Sequence, residues 1–299
     1  MAFYPSDVIR VAKAEIGYHE KASALNLDSK TANSGANNYT KYARDLDKIK
    51  YFNTLKQGFD WCAVSFNWDI WKAVGKDADK ARAVQYQGDA KYNTGAGCTP
   101  QATTYRANNA FYTAPKAGDQ IFFGTTGDEV HTGLVVEVSG REVYTIEGNV
   151  QNQVMLLKYP ISSPKIVGYG RPKYDANDPY VVYAVKAGDT LDKIAAEYDT
   201  TAAKIAKEND ISDPNKINTS MVLIFKKGTK EFTTDDIFCK LGDRNNAVKM
   251  LQALLIRRGL SLTYDGYFGS ETRSAVMAWQ NSQNITVDGI VGYETLKTL

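Results

Sequence analysis

One apolar segment constrains the fold of this chain more than any other feature. From Trp61 to Val74 the sequence is W-C-A-V-S-F-N-W-D-I-W-K-A-V, and apolar side chains occur on nearly every face of the helix that it predicts. Such a helix belongs at the centre of a domain, where other elements cover it on all sides. Another helix is predicted before it, from Pro5 to Gly17, and a polar surface loop from Asn26 to Asn38 separates the two.

A series of short strands follows these helices, after a loop predicted around Thr94 to Thr99. The strands are predicted over Asp119–Gly124, Thr132–Ser139, Glu142–Glu147 and Lys165–Arg171. Because the helices come first and an antiparallel sheet comes afterwards, the pattern predicts an α+β domain over residues 1–173.

Two smaller domains are predicted after this one. The pattern strand, helix, helix, strand predicts a βααβ domain at residues 180–228, with elements over Val181–Val185, Leu191–Tyr198, Thr201–Glu208 and Met221–Phe225. Residues 236–299 contain an internal repeat, in which Asp265, Gly266, Gly269 and Thr272 recur 23 residues later as Asp288, Gly289, Gly292 and Thr295. Each repeat unit is a helix, an Asp-Gly turn and a Thr-led next helix, and repeats of this kind usually share one core.

Charge and composition argue against two kinds of partner. The formal net charge is +2, and no basic run of the kind that follows a nucleic-acid backbone is present. No apolar stretch approaches the roughly 20 residues that a membrane-spanning helix needs, so no membrane insertion is expected. The first ten residues lack the charged lead and apolar core of a secretory signal, and the 3 cysteines are unevenly spaced. We therefore expect synthesis in a reducing cytosol.

Four residues could together perform thiol chemistry. Cys62 begins the apolar helix, His131 begins the strand pattern H-T-G-L-V-V-E-V, and Glu147 and Asn149 end the next strand in T-I-E-G-N. A thiol at a helix N-terminus lies in the positive potential of unpaired N–H groups, which lowers its pKa. A hairpin that turns at Gly140 brings His131 close to the end of the partner strand. Glu147 or Asn149 could then orient the imidazole, and the sequence leaves this choice open.

The other cysteines and the second histidine have simpler interpretations. A free cysteine is most often a small buried apolar residue, and this alternative applies to Cys62 as well. We expect Cys98, in the glycine-rich loop sequence G-A-G-C-T, to be buried in a packing role, with a place lining the cleft as the alternative. Cys239 is expected to be an incidental thiol beside a linker. His19 precedes every catalytic motif and is expected to be structural or to lie at the edge of the cleft.

Four motifs in order carry a resemblance to a known family. F-D-W-C-A, P-K-A-G-D-Q-I-F-F, H-T-G-L-V and T-I-E-G-N resemble the CHAP family of papain-like amidohydrolases and peptidases over residues 5–172. The resemblance implies a papain-like fold and cleavage of an amide bond in bacterial peptidoglycan. It makes Cys62 the nucleophile and His131 the general base, with Glu147 and Asn149 orienting His131. An N-acetylmuramoyl-L-alanine amidase is favoured, and an endopeptidase acting on the stem peptide or cross-bridge is the alternative.

No metal ion and no other cofactor are expected. Some CHAP enzymes carry an acidic calcium loop just before the cysteine, where this chain has K-Y-F-N-T-L-K-Q-G-F-D with the single acid Asp60. The nearest closely spaced pair of acids, Asp45 and Asp47, lies many residues upstream. Because a calcium ion takes about six to eight oxygen ligands, several of them carboxylates, this segment does not predict a calcium site.

Residues 182–225 resemble a LysM module. The resemblance rests on V-V-Y-A-V, A-G-D-T-L, I-A-K-E-N and V-L-I-F, and it departs at Ser220, where a glycine is usual before the last strand. In that family N-acetylglucosamine units bind between two loops. Carried over by position, the sugar-binding residues are Gly188, Asp189 and Thr190 in the first loop and Asn209, Asp210 and Ile211 in the second. Asp189 and Thr190 also suit the N-terminal cap of the helix that follows.

Residues 241–299 look like a peptidoglycan-binding domain of the three-helix type. Its marks are D-G-Y-F-G-S-E-T and D-G-I-V-G-Y-E-T, and we expect the Asp-Gly pairs to serve turn geometry. The implied partner is bacterial peptidoglycan, through its N-acetylglucosamine glycan and its stem peptide. The whole chain resembles a phage endolysin, which is made in the host cytoplasm and acts on the cell wall after release. A wall-binding protein without catalysis and a cysteine protease of other proteins are the alternatives.

Overall fold

The structure is a computed structural model that describes residues 2–88, 96–226 and 239–299. The chain divides into two compact units, of which the first comprises Met1–Ile194 with Ala202–Lys227 and the second Ala195–Thr201 with Gly228–Leu299. Among the described residues, none of the helices has the length and apolar character needed to cross a membrane.

Helices open the first unit. They are α1 (Pro5–Glu15), α2 (Lys41–Lys48), α3 (Cys62–Ala73), α4 (Ala78–Val84) and α5 (Cys98–Ala107). The two predicted helices are confirmed as α1 and α3, whereas α2, α4 and α5 were not predicted. α2 and α4 have recognisable starts, because the side chains of Thr40 and Asp77 each accept a hydrogen bond from a backbone N–H of the first turn.

A six-stranded antiparallel sheet follows, with strand order β1-β6-β2-β3-β4-β5. The strands are β1 (Phe111–Tyr112), β2 (Gln120–Thr125), β3 (Asp128–Ser139), β4 (Glu142–Val150), β5 (Gln153–Pro160) and β6 (Ile166–Gly170). The predicted strands correspond to β2, β3, β4 and β6, and the predicted α+β order is confirmed. β3 begins earlier than predicted, at Asp128, because a tight hairpin pairs Asp128 with Thr125 of β2.

α3 lies at the centre of this unit, as its apolar pattern predicts. Every residue from Cys62 to Trp71 is buried, and the helix packs against α1 on one side and against β3 and β4 on the other. Gly148 of β4 makes the close approach of helix and sheet possible. A Cβ atom at this position would collide with the side chains of Ser65 and Trp61.

The first unit also contains most of the predicted βααβ segment. Its elements are β7 (Tyr180–Ala184), α6 (Leu191–Glu197), α7 (Ala202–Glu208) and β8 (Val222–Lys226). β7 and β8 form a two-stranded antiparallel sheet in which Val182 pairs with Ile224. The order strand, helix, helix, strand is therefore confirmed, with bounds within one or two residues of those predicted.

β7 and β8 share a hydrophobic core with the helices and the large sheet. The buried cluster that joins them includes Val8, Ile9, Ala184, Val222 and Ile224. Polar contacts reinforce this junction, since the Glu137 carboxylate accepts hydrogen bonds from the backbone N of Ala184 at 2.6 Å and from Nζ of Lys186 at 2.9 Å. The segment that precedes β7 is also bound to α1, where Oγ of Ser6 donates to Oδ1 of Asp178 at 2.8 Å. The βααβ segment thus packs directly against the helices and the large sheet of the first unit.

Helices form the described part of the second unit beyond residue 239. They are α8 (Asn246–Arg257), α9 (Ser270–Ser282) and α10 (Tyr293–Thr298). Their shared core is built from Cys239, Val248, Leu251, Leu255, Phe268, Ala275, Val276 and Val291. Cys239 is therefore a core residue and not an incidental surface thiol.

A buried glutamine closes each repeat of this unit, a feature that the sequence analysis did not single out. Nε2 of Gln280 donates to Oδ1 of Asp288 at 2.8 Å and to Oγ1 of Thr295 at 3.0 Å, while Oε1 accepts from the backbone N of Gly289 at 2.9 Å. Gln252 makes the same contacts in the first repeat, with Asp265, Gly266 and Thr272. Both turn glycines have positive φ, which supports the expected turn role of the Asp-Gly pairs.

Candidate active site

Cys62 is the first residue of α3, where the helix leaves N–H groups without intrahelical partners. The preceding residue, Trp61, gives these groups no side-chain cap. The indole of Trp61 is instead buried and donates from Nε1 to Oε2 of Glu20 at 2.7 Å, which fixes the start of the helix. The thiol therefore lies at a rigid helix terminus with positive electrostatic potential.

His131 and Glu147 meet across the β3–β4 hairpin. Nε2 of His131 lies 2.9 Å from Oε2 of Glu147, which is fully buried. The intervening position on β3 is Gly133, and a Cβ atom there would collide with Cγ of Glu147. The glycine of the H-T-G motif therefore leaves the space through which the carboxylate reaches the imidazole.

Further side chains hold the carboxylate and the imidazole in place. Oγ1 of Thr145 donates to Oε1 of Glu147 at 2.5 Å, and the hydroxyl of Tyr159 donates to Oε2 at 3.3 Å. The ring of Phe123 lies against the His131 ring, with 5.8 Å between the centroids. Thr145, Tyr159 and Phe123 were not predicted as site residues. Their contribution depends on the pairing of β4 with β5 and of β2 with β3, which motif matching does not reveal.

The electrostatics of the site favour an ion pair between sulfur and imidazole. Hydrogen bonding to Cys98 and then to His131 lowers the pKa of Cys62 to about 5, against the opposing effect of burial, and the Ala63 N–H adds to the lowering. Burial disfavours charge on His131, but hydrogen bonds and charges of Cys62 and Glu147 outweigh it and raise the pKa of His131 to about 10. Because Nε2 is held by Glu147, Nδ1 is the ring nitrogen left for the sulfur.

Asn149 occupies a different position from Glu147. Its Nδ2 donates to Oδ1 of Asp60 at 3.2 Å, and its backbone has a positive φ of 63°. No described hydrogen bond joins Asn149 to His131 in the parts of the chain that the structure covers. Of the two candidate orienting groups, Glu147 contacts the imidazole, whereas Asn149 ties the end of β4 to the segment before α3.

Cys98 lies beside the candidate nucleophile and, as expected, packs among buried apolar side chains. It is buried, and its Sγ lies 3.7 Å from Sγ of Cys62. The loop prediction for this segment was wrong at Cys98 and Thr99, which begin α5, whereas Ala96 and Gly97 precede the helix; residues 94 and 95 lie outside the described residues. Pro100 in the first turn was the available signal, since proline is tolerated at a helix start.

Metal-binding clusters are absent from the described ranges. Within residues 2–88, 96–226 and 239–299, no group of three or more His, Cys, Asp or Glu side chains is arranged to hold a metal ion. Asp45 and Asp47, the closely spaced pair of acids upstream of the segment before Cys62, both accept hydrogen bonds within the protein. Asp45 accepts from the indole of Trp68 at 3.0 Å, and Asp47 accepts from the backbone N of Lys56 at 2.8 Å.

Two side chains of the first predicted sugar-binding loop make hydrogen bonds within the protein. Oδ2 of Asp189 accepts from the hydroxyl of Tyr183 at 2.9 Å and from the backbone N of Lys186 at 2.8 Å. Oγ1 of Thr190 accepts from the backbone N of Lys193 at 3.3 Å, which caps the start of α6. Gly188 is exposed with a φ of 84°. The expected capping function is present at Thr190, while the exposed loop surface remains accessible to a ligand.

The second predicted loop is divided between structural and accessible residues. Nδ2 of Asn209 donates to the carbonyls of Ile205 and Ile224, and Oδ1 accepts from the backbone N of Ile224 and from Nζ of Lys13 at 2.7 Å. The carboxamide of Asn209 is thus engaged within the protein, so we do not assign it to sugar binding. Asp210 is exposed, and Ile211 lines a cavity of about 170 Å³ beside Lys13.

Two segments of the chain match known domain families. Residues 183–226 match the model of the LysM domain, and residues 244–299 match the model of a peptidoglycan binding domain. The chain thus carries two modules of cell-wall-binding families beside the α+β domain. The secreted LysM effector slp2 of Pyricularia oryzae is 40% identical over 63 residues, which make up 21% of this chain and 22% of that relative. The chain therefore spans about a fifth of the relative's length.

Two solved structures are similar to parts of the chain. The crystal structure of the Burkholderia AP3 phage endolysin is 44% identical, covers 21% of this chain and 24% of that chain, and has a TM-score of 0.21. The crystal structure of a MoCVNH3 variant (Mo0v) in complex with (N-GlcNAc)4 is 14% identical, covers 38% and 69%, and has a TM-score of 0.16. TM-scores this low do not support an inference from either structure.

Proposed function

We propose that the chain is an endolysin-like peptidoglycan hydrolase whose CHAP-type, papain-like domain cleaves an amide bond by a Cys–His mechanism. The bond between muramic acid and L-alanine is the favoured target. The observation that carries the proposal is that His131, whose Nε2 lies 2.9 Å from Glu147, lowers the pKa of Cys62 at the start of α3. The match of two other segments to wall-binding families supports peptidoglycan as the substrate.

In the acylation step the Cys62 thiolate attacks the carbonyl carbon of the amide. A sulfur–carbon bond forms while the carbonyl electrons move onto oxygen. His131, protonated in the ion pair, gives its proton to the amide nitrogen as the carbon–nitrogen bond breaks. The amine leaves, and the acyl group remains on Cys62 as a thioester.

In the deacylation step the neutral imidazole of His131 takes a proton from water, whose oxygen attacks the thioester carbon. The carboxylic acid leaves, and the Cys62 thiolate returns together with protonated His131. Glu147 holds the Nε2 side of the ring through both steps and stabilises the positive charge on it. The buried carboxylate is therefore proposed as the orienting member of the triad.

The oxyanion of each tetrahedral intermediate needs donors that are in place before the reaction. The uncapped N–H groups in the first turn of α3 lie beside the sulfur and supply such donors. Because α3 is buried along its length, these groups are held rigidly. The same helix terminus thus serves both the thiolate and the oxyanion.

The wall-binding modules are proposed to hold the enzyme on its polymeric substrate. The LysM segment would bind N-acetylglucosamine of the glycan, chiefly through the accessible residues Gly188, Asp210 and Ile211. Linked weak sites raise the effective concentration of each other's ligand. All three cysteines are thiols, which agrees with synthesis in a reducing host cytoplasm before release to the wall.

The mechanism is tested by Cys62→Ala in the full-length protein. Purified bacterial walls are incubated with wild type and variant, and turbidity, newly exposed amino groups and the protein retained on the walls are measured. We expect the variant to lose hydrolysis and to remain bound to the walls. Cys239→Ala, in the second unit, is the matched control and should retain hydrolysis. Full hydrolysis by Cys62→Ala would contradict the mechanism, and wall retention without hydrolysis by wild type would favour a non-catalytic wall-binding protein.

Mass spectrometry of the digested wall identifies the bond. Fragments that begin with a free L-alanine N-terminus indicate the amidase. Fragments with any other new N-terminus indicate the endopeptidase alternative. Either result leaves the thiol mechanism in place, because both reactions use the same steps on Cys62 and His131.

A further inference from the structure

Cys98 is a buried thiol that the proposed mechanism does not use. Its Sγ lies 3.7 Å from Sγ of Cys62, within hydrogen-bonding distance for two sulfur atoms. Both cysteines belong to one apolar cluster with Ala102, Tyr105 and Phe122. A hydrogen bond to an anion is stronger in such surroundings than in water.

The position of Cys98 is fixed by contacts between α5 and β3. The backbone N of Glu129 donates to Oγ1 of Thr99 at 2.9 Å, and the carboxylate of Glu129 forms an ion pair with Arg106 at 2.5 Å. Glu129 lies on the same strand as His131, two residues before it. Glu129 therefore holds α5 near both of its ends, and this fixes the position of Cys98 relative to His131.

The charges around the two sulfurs fix the direction of their hydrogen bond. The bond to Cys62, burial, and the negative charges of Cys62, Glu129 and Asp60 all raise the pKa of Cys98. The pKa of Cys62 is shifted in the opposite direction. Cys98 thus keeps its proton where Cys62 loses it, so Cys98 is the donor and the Cys62 sulfur is the acceptor.

We propose that Cys98 is a positioning residue that donates its S–H to the Cys62 thiolate, holding the sulfur as an anion directed toward the substrate carbonyl. This inference rests on the proposed function and deepens it. The Cys62 sulfur then has two partners on different elements, His131 on β3 and Cys98 on α5. Cys98 does not touch the reacting carbonyl and acts through Cys62 alone.

The test is the pH dependence of Cys62 alkylation in the full-length protein. Iodoacetamide reacts with the thiolate, so the rate measured on the peptide that carries Cys62 follows its ionisation. We expect Cys98→Ala to raise the midpoint by about one pH unit, the effect of losing one hydrogen bond to an anion. Cys98→Ser, which keeps a donor, should return the midpoint toward that of wild type, and Cys239→Ala should leave it unchanged.

Folding of each variant is checked by thermal denaturation, and Cys98→Val replaces Cys98→Ala if the smaller side chain does not support the fold. A midpoint equal to that of wild type in the variant without a donor would overturn the proposal. So would a Cys98→Ser midpoint shifted as far as that of the variant without a donor. Alkylation requires no cell wall, so a wild-type protein that fails to hydrolyse walls counts against the proposed function and not against this role of Cys98.

Discussion

The carboxylate of Glu147 reaches His131 diagonally across a hairpin. Leu134 pairs with Ile146, so the residue that faces Glu147 is Gly133, and the carboxylate passes over this glycine to lie 2.9 Å from Nε2 of His131. Diagonal neighbours in a sheet are within reach of long side chains when the direct partner is small. The pair therefore depends on the exact register of β3 and β4 as well as on the two residues.

Glu147→Gln removes the negative charge of this side chain while nearly keeping its size and shape. The amide can still hydrogen bond to His131 but no longer stabilises the imidazolium, so we expect the rate of wall hydrolysis to fall by about 10²–10⁴-fold. Asn149→Ala is the matched control, because Asn149 contacts Asp60 instead of His131. We expect that variant to stay within about tenfold of wild type. Equal losses in both variants would contradict the assignment of Glu147 as the orienting residue.

The sulfur–imidazole ion pair predicts an unusual pH profile. The pKa of Cys62 is lowered to about 5 and that of His131 is raised to about 10, so both charges coexist between these values. Wall hydrolysis should therefore rise as the pH passes about 5 and fall as it passes about 10. The His131→Ala variant provides the comparison for Cys62 alkylation, whose midpoint should move toward the ordinary thiol value of 9.0. An unchanged midpoint in that variant would show that the ion pair does not form.

Asp69 on α3 predicts a pH dependence of stability. Burial and then the charge of Glu15 raise the pKa of this carboxyl in the folded state. At acid pH the folded and unfolded states both carry the proton, and as the pH rises above the ordinary aspartate value the unfolded state gains by ionising. Asp69 therefore lowers stability as the pH rises.

Asp69→Asn removes this ionisation. We expect the thermal midpoint to rise by about 2–4 °C at pH 8 and to change little near pH 4, measured by calorimetry. The matched control is Asp79→Asn, because the side chain of Asp79 is 98% exposed. A variant that keeps the wild-type pH dependence would rule out Asp69 as its source.

The buried glutamines of the repeat predict a second effect on stability. Gln280→Leu leaves the buried N–H of Gly289 without an acceptor, which should cost about 1–3 kcal/mol. Urea denaturation of the full-length protein, followed in the transition of the second unit, measures the loss. Gln283→Leu on the exposed end of the same helix is the control and should change the free energy of unfolding by less than about 0.5 kcal/mol. Equal effects would mean that the turn does not depend on Gln280.

The sequence pattern predicted the elements that contain a recognisable run of buried apolar residues. α3 is apolar on nearly every face because it is covered on both sides, and the middle of β3 and of β4 is buried where these strands face it. β5 escaped prediction because it lies at the edge of the six-stranded sheet, beside β4, and is largely half-exposed. α5 escaped because C-T-P-Q-A-T-T-Y-R-A has weak helix propensity, and its position is fixed by packing.

The residues of the candidate site also fall into two groups, those that sequence motifs reveal and those that only the folded structure brings together. Cys62, His131 and Glu147 stand in motifs whose order along the chain is visible in the sequence. The choice between Glu147 and Asn149 depends on the strand register and on the space above Gly133, which motifs do not specify. The proximity of Cys98 arises from the packing of α5 against α3 and β3, a tertiary contact between residues 36 positions apart in the chain.

The hydrophobic cluster that includes both Ile9 of α1 and Ile224 of β8 gives the candidate sugar-binding loops a fixed position relative to Cys62. A flexible linker would let these loops and Cys62 move independently of each other. A shared core instead keeps the distance between them fixed. If the proposed function is correct, the fold would therefore set the distance between the bound sugar and the bond that is cleaved. Anchoring on one sugar would determine which peptide stem comes within reach, and cuts would follow the repeat of the polymer.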